Sequence, residues 1–124
     1  MGARVLVVDD DVMFRRSLTG VLGSMGYHVT SVDSGDGAIA LVAREAFDVA
    51  LIDHRMPGMT GVETWLHIRD STNAPGPVLV TAAADGAALA ERNGMAFLAK
   101  PFGMSELHTV VERALAWRSA RQTP

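Results

Sequence analysis

The run Val5-Leu6-Val7-Val8-Asp9-Asp10-Asp11 decides the fold. Four apolar residues without alternation have no face for water, so they read as a strand covered on both sides, as a parallel sheet requires. Three aspartates then stop it, and the period changes. Phe14, Leu18, Val21, Leu22 and Met25 recur at helical spacing, and Gly26 follows at a helix-stop position, which predicts a helix from Val12 to Met25.

Outward from this first unit the alternation repeats. Tyr27 to Val32 reads as a second strand, and Ala38, Leu41 and Val42 carry a helix to about Ala46 despite Gly35 and Gly37 at its start. Asp48 to Ile52 is a third strand, closed by Asp53 and the loop Met56-Pro57-Gly58. Thr60 and Glu63 have the spacing of a capping box, which opens a helix from Gly61 to about Asp70. Asn73-Ala74-Pro75-Gly76-Pro77 reads as a loop by its turn chemistry, and Val78-Leu79-Val80 as strand four. Asp85 is the expected cap of a short helix that stops at Gly94, Ala96 to Ala99 is strand five, and Leu107, Val110, Val111, Ala114 and Leu115 give the last helix its apolar face. The fold class is therefore α/β, a doubly wound five-stranded parallel sheet with right-handed crossovers and helices on both faces. Ligands of such sheets bind outside the carboxyl ends of the strands. Asp9, Asp10, Asp53, Thr81 and Lys100 all fall there.

Bulk properties narrow the function. A chain of 124 residues fits one domain, read as residues 1–117, with 118–124 as a flexible tail or the start of a linker. A net charge of -3 offers no basic field for nucleic acid, so direct binding to DNA or RNA is not expected. The absence of cysteine removes disulfides, thiolate metal sites and a thiol nucleophile. No apolar stretch is long enough for a bilayer and the first residues read as a strand, so no membrane association is expected and the cytoplasm is the expected compartment. His28, His54, His67 and His108 lack the spacing of metal ligands.

Singly, the strand-end residues have plain explanations. Asp9 to Asp11 can cap the first helix, Asp53 can serve a turn, and Lys100 can be a solvated charge beside Pro101. Jointly they make a chemical site. Carboxylates this close either raise a pKa or recruit a cation, and oxygen-only ligands suit Mg2+, with Mn2+ as the alternative. A cation beside Lys100 and Thr81 is in turn a place for a phosphoryl group, with an Asp53 oxygen able to attack in line.

At these residues the chain resembles the receiver domains of two-component response regulators, of the chemotaxis-regulator type. Val7-Val8-Asp9-Asp10-Asp11, Asp53-His54-Arg55-Met56-Pro57-Gly58-Met59-Thr60-Gly61, Val80-Thr81-Ala82 and Lys100-Pro101-Phe102 carry the likeness, which runs from about Arg4 to Trp117. The resemblance implies a flavodoxin-like strand order 2-1-3-4-5 and Asp53 as phosphoacceptor from the phosphohistidine of a sensor histidine kinase or histidine phosphotransfer protein. It further implies that Asp10, Asp53 and the Arg55 backbone carbonyl ligate the metal, with Asp9 acting largely through water. Thr81 and Lys100 would contact the phosphoryl oxygens, the bond before Pro101 would be cis, and Phe97 would be a switch aromatic. The switched surface would lie near helix four, strand five and helix five. Such a domain is a signalling module rather than an enzyme, and it promotes its own phosphorylation and dephosphorylation. Its output would be a downstream protein or a covalently attached domain, with homodimerisation as a further arrangement. Gly94 to Pro101 looks somewhat like receivers attached to hybrid kinases.

Two departures stand out. The segment between Thr81 and Lys100 is short by nearly one helical turn, so a stubby fourth helix is expected. The two positions that tune phosphate lifetime in the family hold Arg55 and Ala83. Among rivals, an aspartate-nucleophile phosphatase of the haloacid dehalogenase type needs a second aspartate where Arg55 stands. A flavin carrier needs hydroxyl and glycine donors where this chain has three aspartates. A docking-only pseudo-receiver is disfavoured because every expected phosphorylation residue is present.

Overall fold

The computed structural model describes residues 2–122. Five parallel strands, β1 (Arg4–Val8), β2 (His28–Val32), β3 (Val49–Asp53), β4 (Gly76–Thr81) and β5 (Ala96–Ala99), lie in the order β2-β1-β3-β4-β5. They alternate with helices α1 (Val12–Ser24), α2 (Gly35–Val42), α3 (Gly61–Ile68), α4 (Gly86–Arg92) and α5 (Met104–Gln122). Strand order reverses between β1 and β3, the switch point at which such sheets open a crevice.

The two faces of the central strands feed two cores. Leu6, Val8, Ala50, Ile52 and Leu79 pack with α2, α3 and α4 through Ala38, Leu41, Trp65, Ile68 and Ala90. The alternate residues Val5, Val7, Val49, Leu51, Val78 and Val80 pack with α1 and α5 through Leu18, Leu22, Leu107, Val110, Val111 and Ala114. Successive side chains point to opposite faces of a strand, so an unbroken apolar run is the form a strand buried on both sides must take.

Helix starts follow local chemistry. Asp11 is the N-cap of α1, accepting from the backbone N–H groups of Met13 at 2.9 Å and Phe14 at 3.2 Å. Thr60 and Glu63 form the reciprocal capping box of α3. Asp85 occupies the N-cap position of α4 but makes no capping bond, because its backbone, at φ -94° and ψ 9°, lacks the extended conformation that aims a cap at the first turn. With residues Gly86–Arg92, α4 is the short helix expected.

Several boundaries shift by a residue or two from the sequence reading, and three differences have a structural reason. Helix α2 ends at Val42 rather than near Ala46, as the Arg44 N–H turns to the Leu41 carbonyl three residues back. Strand β4 begins at Gly76, inside the expected loop. The Gly76 N–H donates to the Asp48 carbonyl, so the next residue, Pro77, turns its missing donor toward the side where β5 has not yet begun, its first pair being Val78 with Ala96. Gly76 is also where the backbone of α5 passes close, since a Cβ there would collide with the Ala114 carbonyl. Finally, α5 does not stop at Trp117 but runs through Gln122, so residues 118–122 continue the helix. Arg118 donates to Asp48 at 2.9 Å and the Arg121 guanidinium lies 4.8 Å from the Trp117 ring centroid, which ties down that stretch. Residues 123–124 of the expected tail lie outside the described residues. Among the described residues no helix is long and apolar enough to cross a membrane.

Candidate functional site

The carboxyl ends of β1, β3, β4 and β5 converge on one cluster. Asp9 follows β1 and is 2% exposed, Asp53 ends β3 at 7%, and Thr81 ends β4 at 2%, whereas Asp10 is exposed. Two carboxylates with so little water need a partner. Lys100, one residue past β5, supplies it, its Nζ donating to Asp9 Oδ2 at 3.1 Å and to Asp53 Oδ1 at 3.0 Å.

The surrounding backbone holds these groups in place. The Asp11 N–H donates to Asp9 Oδ1 at 2.9 Å, and Arg15, a turn into α1, donates to the Asp9 carbonyl at 2.8 Å. Gly61 lets α3 start directly against Asp53, for a Cβ there would collide with the Asp53 carbonyl oxygen. Thr81 Oγ1 accepts from the Ala83 N–H at 3.1 Å, leaving its own proton to give. The bond between Lys100 and Pro101 is cis.

The electrostatics are unbalanced. Burial pushes the Asp53 carboxyl above its ordinary value; the Lys100 hydrogen bond opposes this, and the neighbouring charges of Asp9 and Asp10 add to the rise. Burial pulls Lys100 down, yet the hydrogen bonds to Asp53 and Asp9 outweigh it and leave the ammonium above its ordinary value. A single lysine is shared between two buried carboxylates, so it is held firmly, while at Asp53 its hydrogen bond does not make up for burial.

The same imbalance suits a divalent cation. Asp9, Asp10 and Asp53 each offer a carboxylate oxygen, all within 4.8 Å of one another, and they are the group of this kind found among the described residues. Oxygen-only donors with one ligand facing solvent fit a hard cation that keeps bound waters, as magnesium does.

Other expected residues lie around this centre. The half-buried Phe97 packs against the α2–α4 core, and Gly86 leaves room for it, since a Cβ at 86 would come within 2.7 Å of its ring. Arg55 is exposed, and Ala83 is half-buried with its N–H on Thr81. Two neighbours were not anticipated. Arg15 clamps the Asp9 backbone, and the ring centroid of Phe14 lies 4.0 Å from Lys100 Nζ. Phe14 carried only a helical-period signal, which does not say what stands across from α1, and Arg15 carried none.

Comparison with known proteins agrees with this geometry. Residues 5–112 match the response regulator receiver domain. The response regulator protein FleR of Pseudomonas aeruginosa is 39% identical over 91% of this chain, and the regulatory protein AtoC of Escherichia coli K12 is 31% identical over 96%. The chain spans 24% of FleR and 26% of AtoC, about a quarter of their length. Among solved structures, the chemotaxis response regulator CheY4 of Vibrio cholerae superposes with a TM-score of 0.82 at 29% identity, covering 93% of this chain and 100% of that one. The receiver domain of the sensor histidine kinase PA1611 from Pseudomonas aeruginosa, which holds a magnesium ion in its active-site cleft, gives 0.83 at 31% identity, covering 94% and 99%. This chain belongs to the receiver domains of two-component response regulators.

Proposed function

We propose that this receiver accepts a phosphoryl group on Asp53 from a phosphohistidine of a histidine kinase or histidine phosphotransfer protein. The observation that carries the reading is Lys100 Nζ held between the buried carboxylates of Asp9 and Asp53. An Asp53 oxygen attacks phosphorus in line, a P–O bond forms, the P–N bond breaks, and its electron pair returns to the imidazole nitrogen. Lys100 then moves from the Asp53 carboxylate to a phosphoryl oxygen, and Thr81 donates its free hydroxyl proton to another.

Asp9, Asp10, Asp53 and the Arg55 backbone carbonyl would hold Mg2+. When bound, the ion supplies positive charge that offsets both the carboxylates and the incoming phosphoryl oxygens. Phe97, sharing the clearance at Gly86 with Thr81, would report the threonine's position to the surface of α4, β5 and α5. Ala83 has no side-chain group to orient a hydrolytic water, which favours a long-lived adduct. Because relatives such as FleR and AtoC are about four times longer, the output would pass to an attached domain or a separate protein.

The test is intact mass after incubation with acetyl phosphate and magnesium. One phosphate should add to the wild type and none to Asp53→Asn or in excess chelator. An adduct that persists in either control contradicts the assignment.

A further inference from the structure

We propose that Phe14 is a positioning residue for Lys100: the face of its ring holds the ammonium at the point where the Asp9 and Asp53 carboxylates meet. The inference rests on the phosphoacceptor reading above and names a residue on which that site depends.

Lys100 reaches the cluster on a flexible four-carbon chain, with its side chain 25% exposed. Nothing in the stem itself selects the rotamer that touches both carboxylates, and holding it costs side-chain entropy. Two of the three ammonium N–H groups are used by Asp9 and Asp53. Among the described residues no oxygen accepts from the third. The ring of Phe14 stands 4.0 Å from Nζ instead, within the range in which the negative face of an aromatic ring attracts a cation.

The ring is itself fixed. Phe102, two residues after Lys100, meets it edge-on with centroids 6.0 Å apart and planes at 89°. The phase of α1, and so the direction of Phe14, is set by Asp11, which caps the helix through the N–H groups of Met13 and Phe14. Arg15, next along, donates to the Asp9 carbonyl and fixes the same turn against the acidic loop. Phe14 and Phe102 therefore form one wall beside Lys100, lining with Leu18, Val21 and Met104 an apolar groove of about 440 Å³. On that side the ammonium meets a ring where water would otherwise compete for it. An ammonium held there stands ready for a phosphoryl oxygen; a freely rotating one spends part of its time in solvent.

The experiment follows Phe14→Leu, Phe14→Met, Phe14→Tyr and Phe14→Trp by two readouts. The first is the rate of adduct formation with acetyl phosphate and magnesium. The Leu and Met variants should be slowed about 3- to 10-fold, while Tyr and Trp, which restore a ring face, stay close to wild type. The second is independent of activity: the Lys100 ε-methylene protons should show an upfield ring-current shift that is present in wild type, Tyr and Trp and lost in Leu and Met. A double-mutant cycle with Lys100→Ala, read on beryllofluoride binding by fluorine NMR, should show no further effect of Phe14→Leu once the lysine is gone. Equal slowing by Trp and Leu, an additive cycle, or an unchanged methylene shift in Phe14→Leu would overturn the proposal in favour of simple packing. So would loss of the fold in both Leu and Met. A wild type that takes up no phosphate strikes at the phosphoacceptor reading instead, and the methylene shift still tests the positioning.

Discussion

The two edges of the sheet are held together differently. At the amino-terminal edge, Arg4 pairs with Glu45 at 2.7 Å and lies over the Phe47 ring at 4.9 Å, while Asp48 divides its oxygens between the Arg4 backbone N–H and Arg118. Trp65 and Trp117 meet edge to face at 5.7 Å, and the Trp65 indole donates to the Asn93 carbonyl. At the carboxyl-terminal edge, two buried carboxylates share a single lysine, and the exposed Asp10 stands beside them with no part in that pairing. One edge matches its charges and seals itself with aromatic surface. The other carries surplus negative charge, which costs stability and makes a place for a cation and a phosphoryl group.

The largest expected effect tests the sealed edge. Trp117→Ala removes the partner of Trp65 and a contact between α5 and the opposite layer, and should cost about 3 kcal/mol in urea unfolding. The rate of adduct formation from acetyl phosphate should stay unchanged. A variant that lost reactivity in step with stability would show that the two edges are not separable.

Next is Lys100→Met, which strips the loaded edge of its counter-charge. Allowing for the partial exposure of the lysine, the loss should be about 2 kcal/mol at neutral pH without metal. The deficit should shrink as magnesium is added, because the cation takes over the neutralising role. A deficit indifferent to magnesium would mean that the lysine acts by packing alone.

The smallest effect has the opposite sign. Burial, then the charge of Asp9, raises the Asp53 pKa in the folded state, so that state binds more protons than the unfolded chain between the ordinary value of 3.8 and the raised one. Stability from this group is lost as pH rises through that window, and above it the ionised carboxylate is a cost. Asp53→Asn removes the cost and should stabilise the metal-free protein by about 1 kcal/mol at neutral pH. Its advantage over wild type should fade as pH falls toward 3.8. A variant less stable than wild type at neutral pH would reverse the sign assigned to Asp53.

Much of this contrast was legible in the residues themselves. Val5 to Val8 and Val49 to Ile52 show their double burial directly, and a strand-end aspartate or lysine is placed by topology once the strands are known. Asp11 was readable as a cap because capping is decided within four residues. What escaped depended on neighbours distant in the chain. Pro77 looks like a turn residue unless one knows that β5 starts one residue later on that side. The end of α5 lacks an apolar period, and its ties to Asp48 and Trp117 are visible only in three dimensions. Phe14 declared a helix face but not the lysine lying against it.

The span of the Lys100 contacts also orders the events of folding. Lys100 meets Asp53 across 47 residues and Asp9 across 91, so neither bond can form until β5 has joined the sheet. A chain emerging from its amino terminus brings β1 and β3 together first, with Asp9 and Asp53 side by side and no lysine yet between them. Their repulsion works against early docking of these strands, and relief arrives only with the last strand. The ion pair is thus absent from any folding nucleus built on β1 and β3. Changes to it alter mainly how fast the native protein comes apart, and hardly how fast it forms.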